Sequence, residues 1–330
     1  MTSKILVLAS NSFSGSNFIN NQLSLGNKVL GLSRSKEINP VFLPYKKNKN
    51  LNNFKFYQYD INKDLNDIID LIKKEKVSKI VNFAAQSMVG QSWDNPEHWY
   101  MTNTVSTINF HNQLKNLKFL DKYIHISTPE VYGNCQGLVQ EHSNYHPSTP
   151  YATSRAAADM SLKNFYDTYD FPVVFTRAAN VFGECQQLYR IVPKTILSFL
   201  TKEKLPLHGG GHSVRSFIHM NDVSDATSKI LENGKIGDTY HISTTKNISI
   251  RELVQMTADQ LGVSFEDNVE ITEDRKGKDG SYLLDSTKLR NTLNWNDTIS
   301  LETGIDRTIR WVKDNYDDLL KQPMQYIHKK

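Results

Sequence analysis

The sequence predicts an α/β protein built on a doubly wound parallel sheet, and three observations predict it. Short apolar runs alternate with stretches of helical spacing, the rhythm of strand–helix–strand units. The first run, Lys4-Ile-Leu-Val-Leu-Ala9, enters its helix through a turn of small residues, Ser10-Asn-Ser-Phe-Ser-Gly15. A second strand, Lys28-Val-Leu-Gly-Leu-Ser33, closes that unit within about thirty residues, the usual size of a right-handed crossover.

The other elements follow in order. Strands are expected at Phe54–Tyr59, Lys79–Phe83, Tyr123–Ile126 and Val173–Thr176, with helices near 64–75, 97–117 and 150–169 between them. Beyond about 180 the rhythm changes. A helix near 191–202 precedes Pro206-Leu-His-Gly-Gly-Gly211, a sequence that ends any regular element. Strands at 218–220 and 239–242 flank a helix at 221–233, and helices follow near 250–261 and 302–320. We therefore expect residues 1–180, rejoined by 216–245, to form the sheet domain. Residues 181–215 and 246–330 would form a smaller lobe, with the tail from about 322 at the surface.

Composition narrows the function. Of 330 residues, 38% are hydrophobic and 22% charged, enough apolar material for a buried core and against disorder. A formal charge of +4 suits anionic metabolites better than a nucleic-acid groove, so no nucleic-acid partner is expected. Two cysteines, Cys135 and Cys185, cannot build a disulfide framework, and the histidines lack metal-ligand spacing, so no metal is expected. No apolar run reaches the ~18–20 residues of a membrane span, and the chain enters a strand at once without a leader. A cytoplasmic protein is the expectation.

The first turn points to a dinucleotide. Ala9-Ser10-Asn11-Ser12-Phe13-Ser14-Gly15 keeps the G-x-x-G-x-x-G spacing with Ala and Ser in the first two glycine places. Small side chains still let a pyrophosphate approach the N–H groups that open the helix. The second strand ends Ser33-Arg34-Ser35, where an acidic residue would select NAD; arginine between hydroxyls suits a 2′-phosphate, so NAD or NADP remains open with NADP favoured. A solvated arginine is the alternative reading. Asp60-Ile61, ending the third strand, would read the adenine edge.

The chemistry gathers further along. Thr128-Pro129-Glu130 follows a strand, and Tyr151 opens a helix with Arg155 four residues on, hence on the same face. In a doubly wound sheet both segments face the crevice at the carboxyl ends of the strands. For Tyr151 to take a proton from a sugar hydroxyl, a phenol of ordinary pKa ~10 must fall by about 3 units, roughly 4 kcal/mol, of which Arg155 supplies part.

The chain resembles the extended short-chain dehydrogenase/reductases of the nucleotide-sugar epimerase/dehydratase family over nearly its whole length. The resemblance rests on the small-residue turn, Asn82-Phe-Ala-Ala-Gln-Ser87, Ser127-Thr-Pro-Glu-Val-Tyr-Gly133, Tyr151-x-x-x-Arg155, Arg177-Ala-Ala-Asn180 and Arg215-Ser-Phe-Ile-His-Met-Asn-Asp222. Thr-x-Glu before Val-Tyr-Gly is most similar to the dTDP-glucose and GDP-mannose 4,6-dehydratases. The resemblance implies a Rossmann-like sheet with a smaller α/β substrate-binding lobe, a tightly bound NAD or NADP touching Phe83, Ala84 and Ala85, and a nucleotide-diphosphate hexose as substrate. It implies Tyr151 as the base at the 4-hydroxyl, Thr128 on the C4 oxygen, and Glu130 as the group that takes the C5 proton while water leaves C6. Gln86 and Ser87 would border the hexose. Arg190 and Arg215 suit the diphosphate by their bidentate geometry, with Asn180 beside it, Leu207 and His208 near the base, and Arg275 from a late loop. Family members dimerise through a four-helix bundle formed by helices 97–117 and 150–169, with which Leu114, Phe119, Leu162 and Phe165 are compatible, as they are with the core.

Two departures stand out. Arg155 takes the place of the family's lysine, and Pro129 that of the aspartate which protonates the leaving hydroxyl in the dTDP-glucose branch. A 4-epimerase or a UDP-glucuronate decarboxylase on the same scaffold stays open, as does a non-catalytic dinucleotide sensor.

Overall fold

Residues 4–135, 137–273 and 283–329 are described by a computed structural model of the chain. The strands are β1 (Lys4–Leu8), β2 (Lys28–Ser33), β3 (Phe54–Gln58), β4 (Lys79–Asn82), β5 (Lys122–Ile126), β6 (Leu138–Val139), β7 (Val173–Ala178) and β8 (Asn180–Phe182). Then come β9 (Leu205–His208), β10 (Val214–Arg215), β11 (Phe217–His219), β12 (Thr239–Ile242), β13 (Ile248–Ser249), β14 (Val269–Thr272) and β15 (Leu283–Leu284). The first helices are α1 (Phe13–Ser24), α2 (Leu65–Glu75), α3 (Pro96–Trp99), α4 (Thr107–Leu114), α5 (Pro150–Tyr169) and α6 (Ile191–Thr201). The later ones are α7 (Met220–Asn233), α8 (Ile250–Leu261), α9 (Phe265–Asn268), α10 (Thr287–Leu293), α11 (Leu301–Asp314) and α12 (Tyr316–Leu319).

Seven strands form one parallel sheet in the order β12-β7-β5-β4-β1-β2-β3. The apolar strands bury both faces, as a covered parallel sheet requires. Ile5 and Val7 point toward the α1 and α7 side, with Phe18, Ile19, Val223 and Ile230. Leu6 and Leu8 point toward the α2, α4 and α5 side, with Ile68, Phe110 and Leu162. The winding reverses between β1 and β4, and at such a switch point a crevice opens beyond the strand ends. The second half of the chain returns to this sheet through α7 and β12. Helices α6, α8 and α11 build a separate core around Val192, Ile196, Leu253, Ile305 and Ile309.

Several boundaries shift for local reasons. β1 stops at Leu8 because Ala9 adopts a left-handed φ of 59°. The helix expected at 97–117 runs from Pro96 to Leu114, but its middle, Tyr100–Ser106, winds as a π-helix. The helix expected at 302–320 divides at Asn315 into α11 and α12. Leu114 and Leu162, weighed as bundle residues, lie at 1% and 0% exposure within the intramolecular core. Phe119, the other side chain weighed there that follows α4, is exposed, and Met101, Val105 and Met160 are exposed on the helical runs themselves.

Candidate active site

A cleft of about 770 Å³ opens at the carboxyl ends of β1, β2, β4 and β5 and reaches the second lobe. At its floor the β1–α1 turn is tightly built. A Cβ on Gly15 would sit 2.3 Å from the Ala9 carbonyl oxygen, so only glycine lets the helix start so close to the strand. Ser12 caps α1 by accepting from the Gly15 N–H at 3.0 Å, and its hydroxyl donates to Ala9 O at 2.7 Å. Ala9, Ser12, Phe13 and Ser14 line the cleft at the helix end, where first-turn N–H groups lack intrahelical partners.

Ser10 and Gly15 are positioned otherwise than as wall residues. Ser10 is fully buried, its hydroxyl 3.3 Å from that of Ser33. Ser33 accepts from the Asn11 N–H at 3.0 Å, so its oxygen also braces the turn. Arg34 and Ser35 line the cleft beside it, as do Asp60, Ile61, Phe83, Ala84 and Ala85. Asn11 donates to the carbonyls of Ser35 and Lys36, both at 2.9 Å, tying the β1 turn to the β2 end. Asn11 and Asn62 each leave a buried side-chain oxygen without a protein partner, and both residues line the cleft. A glycine-only close approach, an open helix start and unused acceptors fit a dinucleotide lying across the strand ends.

The reactive residues meet at the end of β5. Thr128 caps the short turn Pro129–Tyr132. Its hydroxyl donates to the Glu130 carboxylate and also hydrogen-bonds the Tyr151 phenol. Tyr151 stands in the first turn of α5, which Thr149 caps by accepting from the Ala152 N–H at 3.1 Å. Thr128, Glu130, Tyr151 and Arg155 all line the cleft.

The phenol's electrostatics differ from the sequence expectation. Burial raises the Tyr151 pKa above its ordinary value, and Glu130 raises it further. Arg155, Thr128 and Arg190 pull the other way without overcoming them. Arg155 itself is 3% exposed and turned down into the sheet, donating to the Ile126 carbonyl, with His125 Nε2 3.4 Å away. It therefore acts on Tyr151 as a charge from below. One turn on, Asp159 binds the α5 helix to β5. It accepts from Ser127 Oγ at 2.6 Å and from Arg177 Nη2 at 2.9 Å. Burial alone would raise the Asp159 pKa, but His125 and Arg177 hold it well below the usual carboxylate range.

On the substrate side Gln86, Ser87, Asn180 and Arg190 line the cleft. Gln86 is held from both sides by Asn103 of the π-helical stretch: its N–H donates to Oδ1 at 2.8 Å, and its carbonyl accepts from Nδ2 at 3.0 Å. Arg190 lies over the Tyr189 ring. Leu207, His208 and Arg215 are not brought to this wall. Leu207 is buried against Phe199, Val254 and Phe265. His208 pairs with Thr272 at 2.8 Å, and Arg215 is 7% exposed with Nη1 on Val214 O. Arg275 lies outside the described residues. Asn11, Asn62, Thr102 and Tyr189 are cleft residues that pattern reading passed over, since lone polar side chains carry no spacing signal. Among the described residues no group of three or more His, Cys, Asp or Glu could hold a metal, and no helix is long and apolar enough to cross a membrane.

Comparison with known proteins agrees with this geometry. The family model for GDP-mannose 4,6-dehydratase matches residues 7–308. The dTDP-D-glucose 4,6-dehydratase of Homo sapiens is 32% identical over 273 residues, 81% of this chain and 77% of that protein. A trifunctional UDP-glucose 4,6-dehydratase/3,5-epimerase/reductase of Arabidopsis thaliana is 32% identical over 288 residues, 86% of this chain; the chain spans 42% of that plant protein's length. The solved dTDP-glucose 4,6-dehydratase DesIV of Streptomyces venezuelae, with NAD and TYD bound, superposes with a TM-score of 0.88 at 29% identity, covering 95% of this chain and 98% of that one. A UDP-glucuronic acid 4-epimerase of Bacillus cereus, with UDP-glucuronic acid and NAD, gives 0.84 at 26% identity, covering 95% and 100%. With its parallel sheet, its small-residue turn and its Thr128–Glu130–Tyr151 cluster in one cleft, the chain belongs to the GDP-mannose 4,6-dehydratase family of extended short-chain dehydrogenase/reductases.

Proposed function

We propose that the protein is an NAD(P)-dependent nucleotide-sugar 4,6-dehydratase that converts a nucleotide-diphosphate hexose to its 4-keto-6-deoxy form. The observation that carries this reading is the meeting of Thr128, Glu130 and Tyr151 at the β5 end, across one cleft from the β1–α1 turn. Ala9, Ser12–Ser14, Arg34, Asp60 and Phe83–Ala85 would hold the dinucleotide. A dinucleotide held there would supply the hydride-transfer chemistry that the C4 oxidation and the C6 reduction need.

The protein's own residues handle the protons. Tyr151 takes the proton from the 4-hydroxyl, a step that its burial and the Glu130 charge resist in the absence of further positive charge. Thr128 hydrogen-bonds the C4 oxygen as it becomes a carbonyl. That carbonyl acidifies C5–H, and Glu130 removes the proton. Because Pro129 has none to donate, Glu130 also passes a proton to the departing C6 hydroxyl, so water leaves and the carboxylate is restored. Glu130 then takes up a solvent proton and delivers it to C5 as hydride reaches C6, and Tyr151 returns the 4-hydroxyl proton to solvent. Gln86, Ser87, Asn180 and Arg190 would orient hexose and diphosphate.

Turnover in deuterium oxide tests the scheme: the product should carry deuterium at C5 and the original C4 hydrogen at C6. Retention of the substrate's C5 hydrogen would refute it. A 4-epimerase or decarboxylase is the competing enzyme reading, and Glu130 bonded to Thr128 weighs against an epimerase, which has no C5 proton to move. The sheet domain, with the 216–245 return, is assigned to cofactor and the remainder to substrate. A homodimer belongs to the same proposal, with Met101, Val105 and Met160 exposed on two adjacent helical runs that a second copy would cover as a four-helix bundle. A monomeric mass by sedimentation would refute it. A cytoplasmic site fits a chain whose two cysteines, Cys135 and Cys185, are too few for a disulfide framework.

A further inference from the structure

The segment after α12, expected at the surface, is not simply solvated. Gln322, Met324, Tyr326 and His328 are half-buried while Pro323, Gln325, Ile327 and Lys329 are exposed, the alternation of an extended chain lying on a surface. Met324 packs on the second-lobe core. The Tyr326 ring meets Tyr189 edge-on at 5.6 Å, on the substrate side of the cleft. His328 crosses to the sheet side, stacking on Trp99 at 5.1 Å and 10° with its Nε2 2.8 Å from His98 Nδ1. The Lys329 carbonyl then accepts from Gln86 Nε2 at 2.7 Å and Arg34 Nη2 at 3.3 Å. Gln86 is only 3% exposed, so this latch is on a fixed, buried side chain and not on a mobile surface group.

With the segment in place the cleft still measures about 770 Å³, and Tyr326, Ile327 and Lys329 are among its walls. That lies inside the ~300–1,000 Å³ of pockets that hold cofactor-sized ligands, so the segment leaves room beneath it. We propose that Tyr326–Lys329 is the roof of the dinucleotide site, a strap latched on Gln86 and Arg34 that retains the cofactor between hydride removal and hydride return. The proposal rests on the dinucleotide reading of the cleft. It adds a segment from late in the chain to a site whose other walls come from the ends of β1, β2, β3 and β4. Entry and release both require the latch, the ring stack and the Tyr326 contact to open. Their loss therefore speeds exchange in both directions.

The test uses the full chain carrying Tyr326→Ala and His328→Ala together, beside a chain ended after Gln325. Each is loaded with NAD or NADP, freed of excess, and chased with a fluorescent etheno analogue of the dinucleotide. Equal thermal midpoints establish that the variants fold. Release roughly tenfold faster than from the unaltered chain is expected, since each net hydrogen bond is worth a factor of a few. Unchanged release, or slower release because the strap had competed with the cofactor, would overturn the roof while leaving the dinucleotide site intact. Failure of the unaltered chain to hold either dinucleotide would sink the cofactor reading and the roof with it.

Discussion

Replacing Glu130 by Gln separates the two half-reactions more cleanly than any other single change. Glutamine keeps the shape of the side chain and still accepts from the Thr128 hydroxyl, so the Pro129–Tyr132 turn should hold. What disappears is a carboxylate that can take the C5 proton and pass one to the leaving hydroxyl. A positioned base contributes typically 10²–10⁴-fold, about 3–5 kcal/mol of barrier, and elimination should slow by that factor. The first oxidation should survive and be eased. Glu130 is second only to burial in raising the Tyr151 pKa, so removing its charge lowers the pH at which the phenol gives up its proton. Rapid mixing of the variant with substrate should therefore accumulate reduced nicotinamide, seen by its near-ultraviolet absorbance, without loss of water in the mass spectrum. The rising limb of that accumulation against pH should move to lower pH than in the unaltered enzyme. Elimination at full rate would remove Glu130 from the mechanism, and loss of the oxidation itself would show that Glu130 serves binding.

Three further predictions concern the fold and the cofactor. Ala9 occupies a left-handed conformation that an L side chain resists, so Ala9→Gly should stabilise the protein by about 1 kcal/mol in urea unfolding; no gain would mean the turn relaxes. Glu184 is pushed up by burial but held at about 2 by His219 at 2.8 Å and Arg307 at 2.7 Å. Because this lies below the unfolded value of about 4.3, the stabilisation is complete above that pH and fades as pH falls toward 2. Glu184→Gln should thus cost about 2–3 kcal/mol at neutral pH and flatten the acid limb of stability, and an unaltered limb would contradict the pairing. Arg34→Ala should reduce any preference for NADP over NAD by roughly tenfold in equilibrium binding, the scale of a charge-assisted bond to phosphate; an unchanged ratio would retire the 2′-phosphate reading.

Most of the scaffold was legible because period and punctuation agree. The alternation of β1, β2 and β4 with helical stretches and the start of α5 near residue 150 were readable from residue type and spacing. The cluster of Thr128, Glu130 and Tyr151 was legible because topology brings strand ends to one edge. Features set by packing were not. Nothing in Tyr100–Ser106 marks a π-helix, yet that winding aims Asn103 at Gln86. The sequence places Arg155 on the Tyr151 face, but the carbonyl of Ile126 draws its guanidinium beneath the cleft. Leu207 was expected at the nucleobase, and its apolar side chain is instead buried in the second-lobe core, where burial of a Leu is worth ~1.5–3 kcal/mol. The strap could not be foreseen, since a tail whose anchoring contacts, on Gln86, Trp99 and Tyr189, are distant in sequence reads as solvated chain.

The most direct test is to weigh the products after the purified protein is incubated with UDP-, dTDP-, GDP- and CDP-hexoses. A product lighter than its substrate by one water, formed from one of these and abolished in Glu130→Gln, is the predicted result, and it would name the nucleotide at the same time. A product of unchanged mass with an inverted sugar centre, or loss of carbon dioxide from a uronic acid, would contradict 4,6-dehydration and assign the cleft to the competing chemistry.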